Sequence, residues 1–334
     1  MTTEISIIIV NYNAGDRLEK CIRCLNAQTL QPLEIIVVDN ASTDNSLETA
    51  LNRPNIVVIE AGENLGFAAA NNLAAKKAKG EFIALLNPDA YADPDWLKEL
   101  ATAITDYPDV DAFGSLQLQA DNPEILDGAG DAYHPFGLAY RGHYGWPTQS
   151  APETGECFAP CAAAAIYRRS TFLSLGGFEE KFFCYFEDVD LGFRLQLSGK
   201  RAMQIKSAKV LHEGSGISGA ASPFTVYHGH RNRIWTHYLN MPLVLLLPTL
   251  PFHFLTNLYL FARLTVAGNA RAYLKAMVDA HKALPSLMSE RRKRQKNRIV
   301  PIKYLARIMT WSPLKPMRKE ADLLTLTPRP KPTP

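Results

Sequence analysis

Short apolar runs alternate with amphipathic stretches over the N-terminal third of the chain. The apolar runs are rich in β-branched residues and show no polar alternation, which is typical of strands covered on both faces. They predict strands at residues 5–10, 34–39, 55–60 and 81–86. The amphipathic stretches predict helices after Asp16 and over residues 67–79 and 95–107. This order predicts an α/β fold with an open, mainly parallel sheet.

Polar residues follow three of these predicted strands, namely Asn11, Asp39 and Asp89. Because ligands of such sheets bind at the carboxyl ends of the strands, we expect all three residues to face one crevice. A nucleotide is the usual occupant of such a crevice. Neither GxGxxG nor GxxxxGK[ST] occurs in the sequence, so dinucleotide dehydrogenases and P-loop NTPases are not favoured.

Three carboxylates are crowded together in the second half of the chain. Glu187, Asp188 and Asp190 fall within four residues, and apolar positions four residues apart predict a helix over residues 190–198. Crowding and burial raise the pKa of a carboxyl group, so one of the three is a candidate acceptor for the proton of a hydroxyl group. The alternative is that they are ordinary helix caps and dipole partners.

The length and the cysteine content bound the class of protein. At 334 residues the chain exceeds the roughly 250 to 300 residues over which one hydrophobic core grows, so we expect a catalytic domain with an appended region. Five cysteines and no charged, apolar leader predict a reducing, cytoplasmic setting. Cys157 and Cys161 have no histidine at metal-ligand spacing and are interpreted as small buried side chains.

Six short motifs occur between residues 6 and 191: SIIIVNYN at 6–13, VVDNASTD at 37–44, ENLGFAAANN at 63–72, LLNPD at 85–89, GGF at 176–178 and YFEDVDL at 185–191. In this order they resemble glycosyltransferase family 2, and most closely its rhamnosyltransferase-like branch. The resemblance covers roughly residues 4–235. It implies the GT-A fold, with helices on both faces of the sheet, and an inverting enzyme that uses a nucleotide-diphospho-sugar donor.

The resemblance also implies which residues contact the donor. In such relatives the aspartate after the second strand contacts the base or ribose, which is the part implied for Asp39, and Asn11 lines the same pocket. A carboxylate holds a ribose hydroxyl or a uracil N–H by a charge-assisted hydrogen bond. Asn64 and Gly66 are placed near the donor. The alternative for these positions is a turn or a helix cap, which is the interpretation that we prefer for Asp44.

A divalent cation is implied by the segment from Asn87 to Asp89, which stands where the family has its Asp-x-Asp element. Asp89 would bind Mg²⁺ or Mn²⁺ between the donor phosphates, since these ions prefer hard oxygen ligands. Asn87 in place of the first aspartate makes the site less negative. His212 matches a histidine near the metal or diphosphate in relatives, and Arg231 could hold the diphosphate as a planar donor. The alternatives are a turn, a structural histidine and a solvated or membrane-facing arginine.

Asp188 aligns with the general base of the family. This residue would take the proton of the acceptor hydroxyl while the acceptor oxygen attacks the anomeric carbon opposite the leaving diphosphate, which inverts the configuration. Glu187 and Asp190 would orient the acceptor or tune Asp188. Residues 119–160 show little periodicity and predict an irregular excursion beside the site, either a substrate lid or a surface insertion.

The C-terminal third of the chain differs in composition. Residues 242–262 contain no Asp, Glu, Lys or Arg, but Pro248 and Pro251 favour an interfacial segment or a shallow hairpin over an uninterrupted spanning helix. Residues 282–334 hold 14 Lys and Arg against 3 Asp and Glu, although the whole chain has a formal charge of only +3. We predict a catalytic domain at 1–235, an apolar helical membrane-associating region at 236–285 and a basic tail at 286–334.

These features together predict a cytoplasmic enzyme held peripherally on the inner membrane face. We expect no nucleic-acid partner, since no aromatic stacking platform accompanies the basic residues. A merely solvated tail is the alternative. The predicted activity is transfer of a sugar, L-rhamnose from dTDP-rhamnose, to a saccharide or lipid-linked acceptor in cell-envelope glycan synthesis. A catalytically silent nucleotide-sugar-binding or scaffold protein and a nucleotidyltransferase are the alternatives. The sequence leaves the oligomeric state open.

Overall fold

A computed structural model of the chain describes residues 4–51, 53–214 and 222–326. The strands in this part are β1 (Ile5–Asn11), β2 (Glu34–Asp39), β3 (Ile56–Glu60), β4 (Phe82–Leu86), β5 (Ala90–Ala92), β6 (Ala112–Gln119), β7 (Leu126–Gly128), β8 (Asp131–His134), β9 (Leu138–Arg141), β10 (Gly155–Cys157), β11 (Ala164–Arg168) and β12 (Ala202–His212). The α-helices are α1 (Asp16–Asn26), α2 (Gly66–Lys77), α3 (Trp96–Asp106), α4 (Arg169–Ser174), α5 (Glu187–Leu197), α6 (Pro223–Asn240), α7 (Leu243–Val266), α8 (Ala270–Lys296), α9 (Ile302–Ile308) and α10 (Leu314–Arg318).

Most strands of the central sheet run in one direction. The sheet has the order β10-β12-β6-β11-β4-β1-β2-β3, and β5 and β7 pair with β12 and β6. Strand β1 is parallel to β2 and β4, β2 to β3, and β6 to β12, whereas β11 is antiparallel to both of its neighbours. The predicted mainly parallel sheet is therefore confirmed. The carboxyl ends of β1, β2, β4 and β12 consequently meet at one edge.

Apolar side chains cover both faces of the sheet, because successive strand residues point to opposite sides. On one face, Ile7 and Ile35 pack in one cluster with residues of α1 and α3. On the other face, Ile8 and Ile36 pack with residues of α2 and α5. These two buried layers confirm the predicted helices on both faces, and they fix the position of the strand ends.

Helix α5 begins at Glu187, earlier than the predicted start at residue 190. Its first backbone hydrogen bond runs from the N–H of Asp190 to the carbonyl oxygen of Phe186, at 2.9 Å. Glu187, Asp188 and Asp190 therefore all lie in the first turn of the helix. The N-terminal end of the helix dipole favours negative charge at these positions.

The prediction of an irregular excursion at residues 119–160 is wrong, because this segment contains β7, β8, β9 and β10. Strands β8 and β9 form an antiparallel hairpin. Its Tyr133 is buried and stacks on Phe158, with ring centroids 4.9 Å apart. Strands of three or four residues are too short to leave a clear period in the sequence, but the segment does lie beside the site, as described below.

Helix α7 runs without interruption through Pro248 and Pro251, so the shallow hairpin considered for this segment is wrong, whereas the interfacial segment stays a prediction. Proline removes a helical N–H donor and leaves a carbonyl of the preceding turn without its usual partner. In this turn the hydroxyl of Thr249 donates to the carbonyl oxygens of Leu245 and Leu246, at 2.8 and 3.0 Å. The carbonyls that lose an N–H donor are those of Val244 and Leu247, four residues before each proline. The Thr249 hydroxyl therefore adds hydrogen bonds to the turn between the prolines and does not replace the missing ones.

Two cations of the basic run at residues 291–298 are buried and hold α8 on the rest of the fold. Arg294 Nη1 lies 2.6 Å from Asp190 Oδ1 on α5, and Arg291 donates to the carbonyl oxygens of Tyr238 and Met241. The predicted domain boundaries at residues 235 and 285 fall inside α6 and α8. The exposed cations of the run are Arg292, Lys293 and Lys296.

Candidate functional site

The carboxyl ends of the parallel strands open into a pocket of about 790 Å³, a size typical of small-molecule sites. Residues from distant parts of the chain converge there. The predicted site residues that line the pocket are Asn64, Gly66, Asn87, Asp89, Glu187, Asp188 and His212. Asn11, Asp39 and Arg231 are not among the lining residues.

Asn11 and Asp39 lie at the ends of β1 and β2, directly behind the pocket wall. They are paired in the sheet register, and Asn11 Nδ2 donates to Asp39 Oδ1 at 2.7 Å. The backbone N–H of Ser42 donates to Asp39 Oδ2 at 3.0 Å. Asp39 therefore closes a turn, while its neighbour Asn40 lines the pocket. Asp44 caps the short helix that follows, as predicted.

Gly66 shapes one wall of the pocket through close packing. Its φ is +79°, and a Cβ added there would lie 2.5 Å from Cδ2 of Phe183. Asn64 Oδ1 accepts a hydrogen bond from the N–H of Gly66 at 3.0 Å, and the N–H of Ala68 donates to the carbonyl oxygen of Phe183 at 3.0 Å. A residue with a side chain at position 66 would push this loop away from the segment that precedes α5.

Asp89 belongs to a chain of charged groups at the sheet edge. Its Oδ1 lies 3.5 Å from Nε2 of His212. The other ring nitrogen of His212, Nδ1, lies 2.8 Å from Oδ2 of Asp127. Asp127 is in turn paired with Arg141 at 2.6 Å. Burial alone would raise the pKa of Asp89 and lower the pKa of His212. The hydrogen bonds of the histidine outweigh burial, so the pKa of Asp89 is lowered and the pKa of His212 is raised. The carboxylate of Asp89 is thus held in its ionised form.

The residues at this edge fit a divalent cation. Octahedral ligands at about 2.1 Å lie about 3 Å from one another, close to the 3.5 Å between Asp89 and His212. A second carboxylate that orients the ring, as Asp127 does, is the usual support of a metal-binding histidine. Asp89 and His212 can therefore hold a divalent ion, with Asn87 beside them on the pocket wall.

A second group of ligand atoms comes from Asp131, Cys161 and Asp188, which lie within 4.8 Å of one another. This group suits Mg²⁺ or Mn²⁺ less well, because a cysteine is a soft ligand. Burial raises the pKa of the Cys161 thiol to about 12. The guanidinium of Arg141 also faces all three groups and repels a further cation.

Glu187 and Asp188 line the pocket from the first turn of α5. Burial raises the pKa of Glu187 well above its ordinary value, and the charge of Asp188 adds to this effect. Burial also raises the pKa of Asp188, although the N–H groups of Ala162 and Val189 donate to its two oxygens at 3.1 and 2.8 Å. A carboxylate with a raised pKa at a pocket wall is suited to accept a proton near neutral pH.

The loop before Glu187 has an unusual backbone. Phe183, Tyr185 and Phe186 all have φ between 67° and 70°, a region that costs an L-residue roughly 1–2 kcal/mol. The side chain of Asn232 donates to three carbonyl oxygens of this segment. Arg231 donates to the carbonyl oxygens of residues 181 and 182 instead of facing the pocket. Its predicted role at the diphosphate remains a prediction.

Sequence reasoning missed the pocket residues Asp131 and Arg141 and the supporting residues Asp127 and Asn232. The first three lie in the segment that showed no periodicity, and only the acidic positions around Gly128 and Gly130 mark it in the sequence. Asn232 is far from α5 along the chain and sits within a helix. No local pattern points to its contacts with the loop.

A sequence model described as Glycosyl transferase family 2 matches residues 6–175, which is about half of the chain. The chain belongs to glycosyltransferase family 2. It is similar to N-acetylglucosaminyl-diphospho-decaprenol L-rhamnosyltransferase of Mycobacterium tuberculosis, with 29% identity over 260 residues that cover 68% of this chain and 82% of the relative. The family and the enzyme class predicted from the motifs are therefore confirmed.

Solved glycosyltransferases share the fold. TarS of S. aureus, in complex with UDP-GlcNAc, matches with a TM-score of 0.57 and 20% identity, covering 88% of this chain and 89% of that chain. The mannosyltransferase PcManGT of Pyrobaculum calidifontis, with GDP-Man and Mn²⁺, matches with a TM-score of 0.51 and 17% identity, covering 92% and 86%. The chain is thus a glycosyltransferase with the GT-A fold.

Proposed function

We propose that this glycosyltransferase inverts the anomeric configuration while it transfers L-rhamnose from dTDP-rhamnose to a saccharide or lipid-linked saccharide in cell-envelope glycan synthesis. The observation that carries this proposal is the presence of Asp89, His212 and Asp188 on the walls of one pocket. The similarity to a rhamnosyltransferase whose name includes a decaprenol-linked sugar supports the choice of donor and of acceptor class.

The proposed reaction is a single displacement. The acceptor hydroxyl gives its proton to a carboxylate oxygen of Asp188, and its oxygen forms a bond to the anomeric carbon of the sugar. The bond from that carbon to the diphosphate breaks, and its electron pair leaves with the nucleoside diphosphate. Positioned proton transfer of this kind typically supplies about two to four orders of magnitude in rate.

Asp89 and His212 are proposed to hold Mg²⁺ or Mn²⁺ at the diphosphate. When bound, such an ion neutralises the charge that grows on the leaving group. Asn87, Asn64 and Gly66 line the pocket beside these residues, which supports their proposed place around the donor. Asn11 and Asp39 would act from behind the wall, by holding the turn that contains Asn40.

The experiment is an assay of transfer over a panel of UDP-, GDP- and dTDP-sugars, with Mn²⁺, with Mg²⁺ and with EDTA. Asp188→Asn is expected to abolish transfer while donor binding survives, whereas Asp89→Ala should weaken the metal-dependent binding of the donor. Asp106→Asn, which changes an exposed carboxylate, is the control. Full activity of Asp188→Asn would remove Asp188 from the mechanism. Donor binding without transfer for every sugar would favour a catalytically silent binding protein.

The protein is further proposed to act in the cytoplasm, held peripherally on the inner membrane. Among the described residues one helix, α7, is long and apolar enough to cross a bilayer. Its exposed leucines and aromatic residues recur every three or four positions, so they form an apolar stripe on its outer side. Exposed Arg292 and Lys293 on α8 could contact anionic headgroups, each contributing about 1 kcal/mol. A helix lying in the interface satisfies both features.

A further inference from the structure

Asp131 is a buried carboxyl group that faces the proposed general base. It begins β8 and lines the pocket, and only 7% of its surface is exposed. Its Oδ1 is enclosed and has no hydrogen-bond partner among the residues that the structure describes. An oxygen of Asp131 and an oxygen of Asp188 lie no more than 4.8 Å apart.

The two carboxyl groups have different surroundings. Asp188 accepts hydrogen bonds from the N–H groups of Ala162 and Val189, and such donors stabilise a negative charge. No N–H donor of this kind reaches Asp131 Oδ1 in the described part of the chain. When two neighbouring carboxyl groups share one proton, the proton resides on the group without donors.

We propose that Asp131 carries this shared proton and binds the acceptor, donating a hydrogen bond to the same hydroxyl oxygen that gives its proton to Asp188. Two hydrogen bonds of about 2.7 Å to one oxygen span up to roughly 5 Å, and an oxygen of each carboxyl group lies within that span, since the two are no more than 4.8 Å apart. The hydroxyl would thus be held between an acid and a base, with one lone pair free for the anomeric carbon. The acceptor part of this inference rests on the proposed function.

The charged and titratable groups around the pair agree with a neutral Asp131. Burial raises the pKa of Asp131 well above its ordinary value, and the charge of Asp188 adds to this rise. The guanidinium of Arg141 opposes it, but this side chain is engaged by Asp127 at 2.6 Å. The other titratable groups that face the pair are Cys157, Cys161, Tyr167 and Glu187.

Two substitutions show whether the side chain of Asp131 acts as a hydrogen-bond donor or as a negatively charged carboxylate. Asp131→Asn keeps a hydrogen-bond donor of the same size, so transfer should stay within about fivefold of the wild type. Asp131→Ala removes the donor and should lower kcat/KM for the acceptor by about one to two orders of magnitude, with donor affinity unchanged. An Asn variant as inactive as Asp188→Asn, or a fully active Ala variant, would overturn the proposal. Thermal melting and donor affinity show whether each variant is folded.

The protonation state of Asp131 can also be measured directly, without substrate. In protein labelled with ¹³C at the aspartate carboxyl carbons, NMR at pH 7 should show a protonated aspartate whose signal is absent from Asp131→Asn. The signal should persist in Glu187→Gln, because glutamate is not labelled. Absence of a protonated aspartate in the wild type overturns the proposal. If no sugar donor supports transfer, the proposed function fails, but this spectrum still decides where the proton lies.

Discussion

Asn232 Nδ2 on α6 lies 2.7 Å from the carbonyl oxygen of Tyr185, in the loop that leads into the candidate general base. The same nitrogen lies 3.0 Å from the carbonyl oxygen of Phe182 and 2.9 Å from that of Cys184. Asn232 is fully buried. One amide group therefore holds three points of a segment whose left-handed residues would relax without such support.

Asn232→Ala is expected to lower kcat without a comparable change in donor affinity. The loop would relax toward ordinary φ values and displace Asp188, and a shift of about 1 Å at a reacting group costs on the order of a hundredfold in rate. Steady-state kinetics and isothermal titration with the donor measure the two effects. Asn297→Ala, at an exposed asparagine, is the control. Unchanged kcat in a folded Asn232→Ala would contradict the positioning role.

The sequence predicted the strand ends well, because buried parallel strands leave unbroken apolar runs and their polar ends follow directly. The sequence could not show that the three acidic residues of α5 have different surroundings. Asp190 turned inward to Arg194 and Arg294, at 2.8 and 2.6 Å, and Arg294 lies in a run that reads as a solvated or membrane-facing charge cluster. Contacts between residues so distant in sequence leave no local pattern.

The same limit applies to the pocket wall formed by the β8–β9 hairpin. Asp131 and Arg141 are paired in its register, but strands of four residues give neither a helical nor a strand period. The hairpin is fixed by tertiary contacts instead, such as the stacking of Phe136 on Phe252 of α7, with ring centroids 4.8 Å apart. A segment ordered in this way cannot be distinguished from a loop by its sequence alone.

Gly66→Ala is expected to be much more harmful than Gly62→Ala. Both glycines have φ values near +76° to +79°, so both substitutions carry a backbone cost of roughly 1–2 kcal/mol. Only the Cβ at position 66 meets Phe183, whereas position 62 has no atom within 4 Å. Overpacking adds about 1–3 kcal/mol. Urea unfolding and donor titration measure the difference, and equal effects of the two substitutions would contradict the close packing of the loop at Gly66 on Phe183.

Glu187→Gln is expected to stabilise the protein in a pH-dependent way. Burial raises the pKa of Glu187, so the folded state keeps a proton that the unfolded state releases above about pH 4. The folded state then binds more protons, and the free energy of unfolding falls as pH rises toward the folded pKa. Glutamine stays neutral and removes this loss, which is at most about 1.4 kcal/mol per pH unit.

Urea unfolding between pH 4.5 and 8 measures this effect as the difference between Glu187→Gln and the wild type. The difference should grow with pH in favour of the variant. Glu48→Gln, at an exposed glutamate, should show no such trend. A difference that stays constant across the range would mean that Glu187 is ionised in the folded protein.

The exposed apolar stripe of α7 leads to a prediction about membrane binding. Leu247 and Leu255 are 60% and 58% exposed, and burying a leucine side chain in an apolar phase contributes about 2 kcal/mol. Leu247→Glu combined with Leu255→Glu should therefore abolish flotation with vesicles of anionic lipid. Leu33→Glu changes a leucine of similar exposure, 47%, outside the C-terminal helices and should float like the wild type.

The exposed cations of α8 should strengthen binding to anionic membranes by electrostatic attraction. Arg292→Ala combined with Lys293→Ala removes two exposed charges, each worth about 1 kcal/mol at an anionic surface. Flotation of this variant should weaken at low salt and respond less to added salt, because screening acts on the removed contacts. Vesicles of zwitterionic lipid should bind the variant and the wild type alike. A wild-type protein that stays in the soluble fraction with anionic vesicles would end the proposal of peripheral membrane association, whatever the result for transfer.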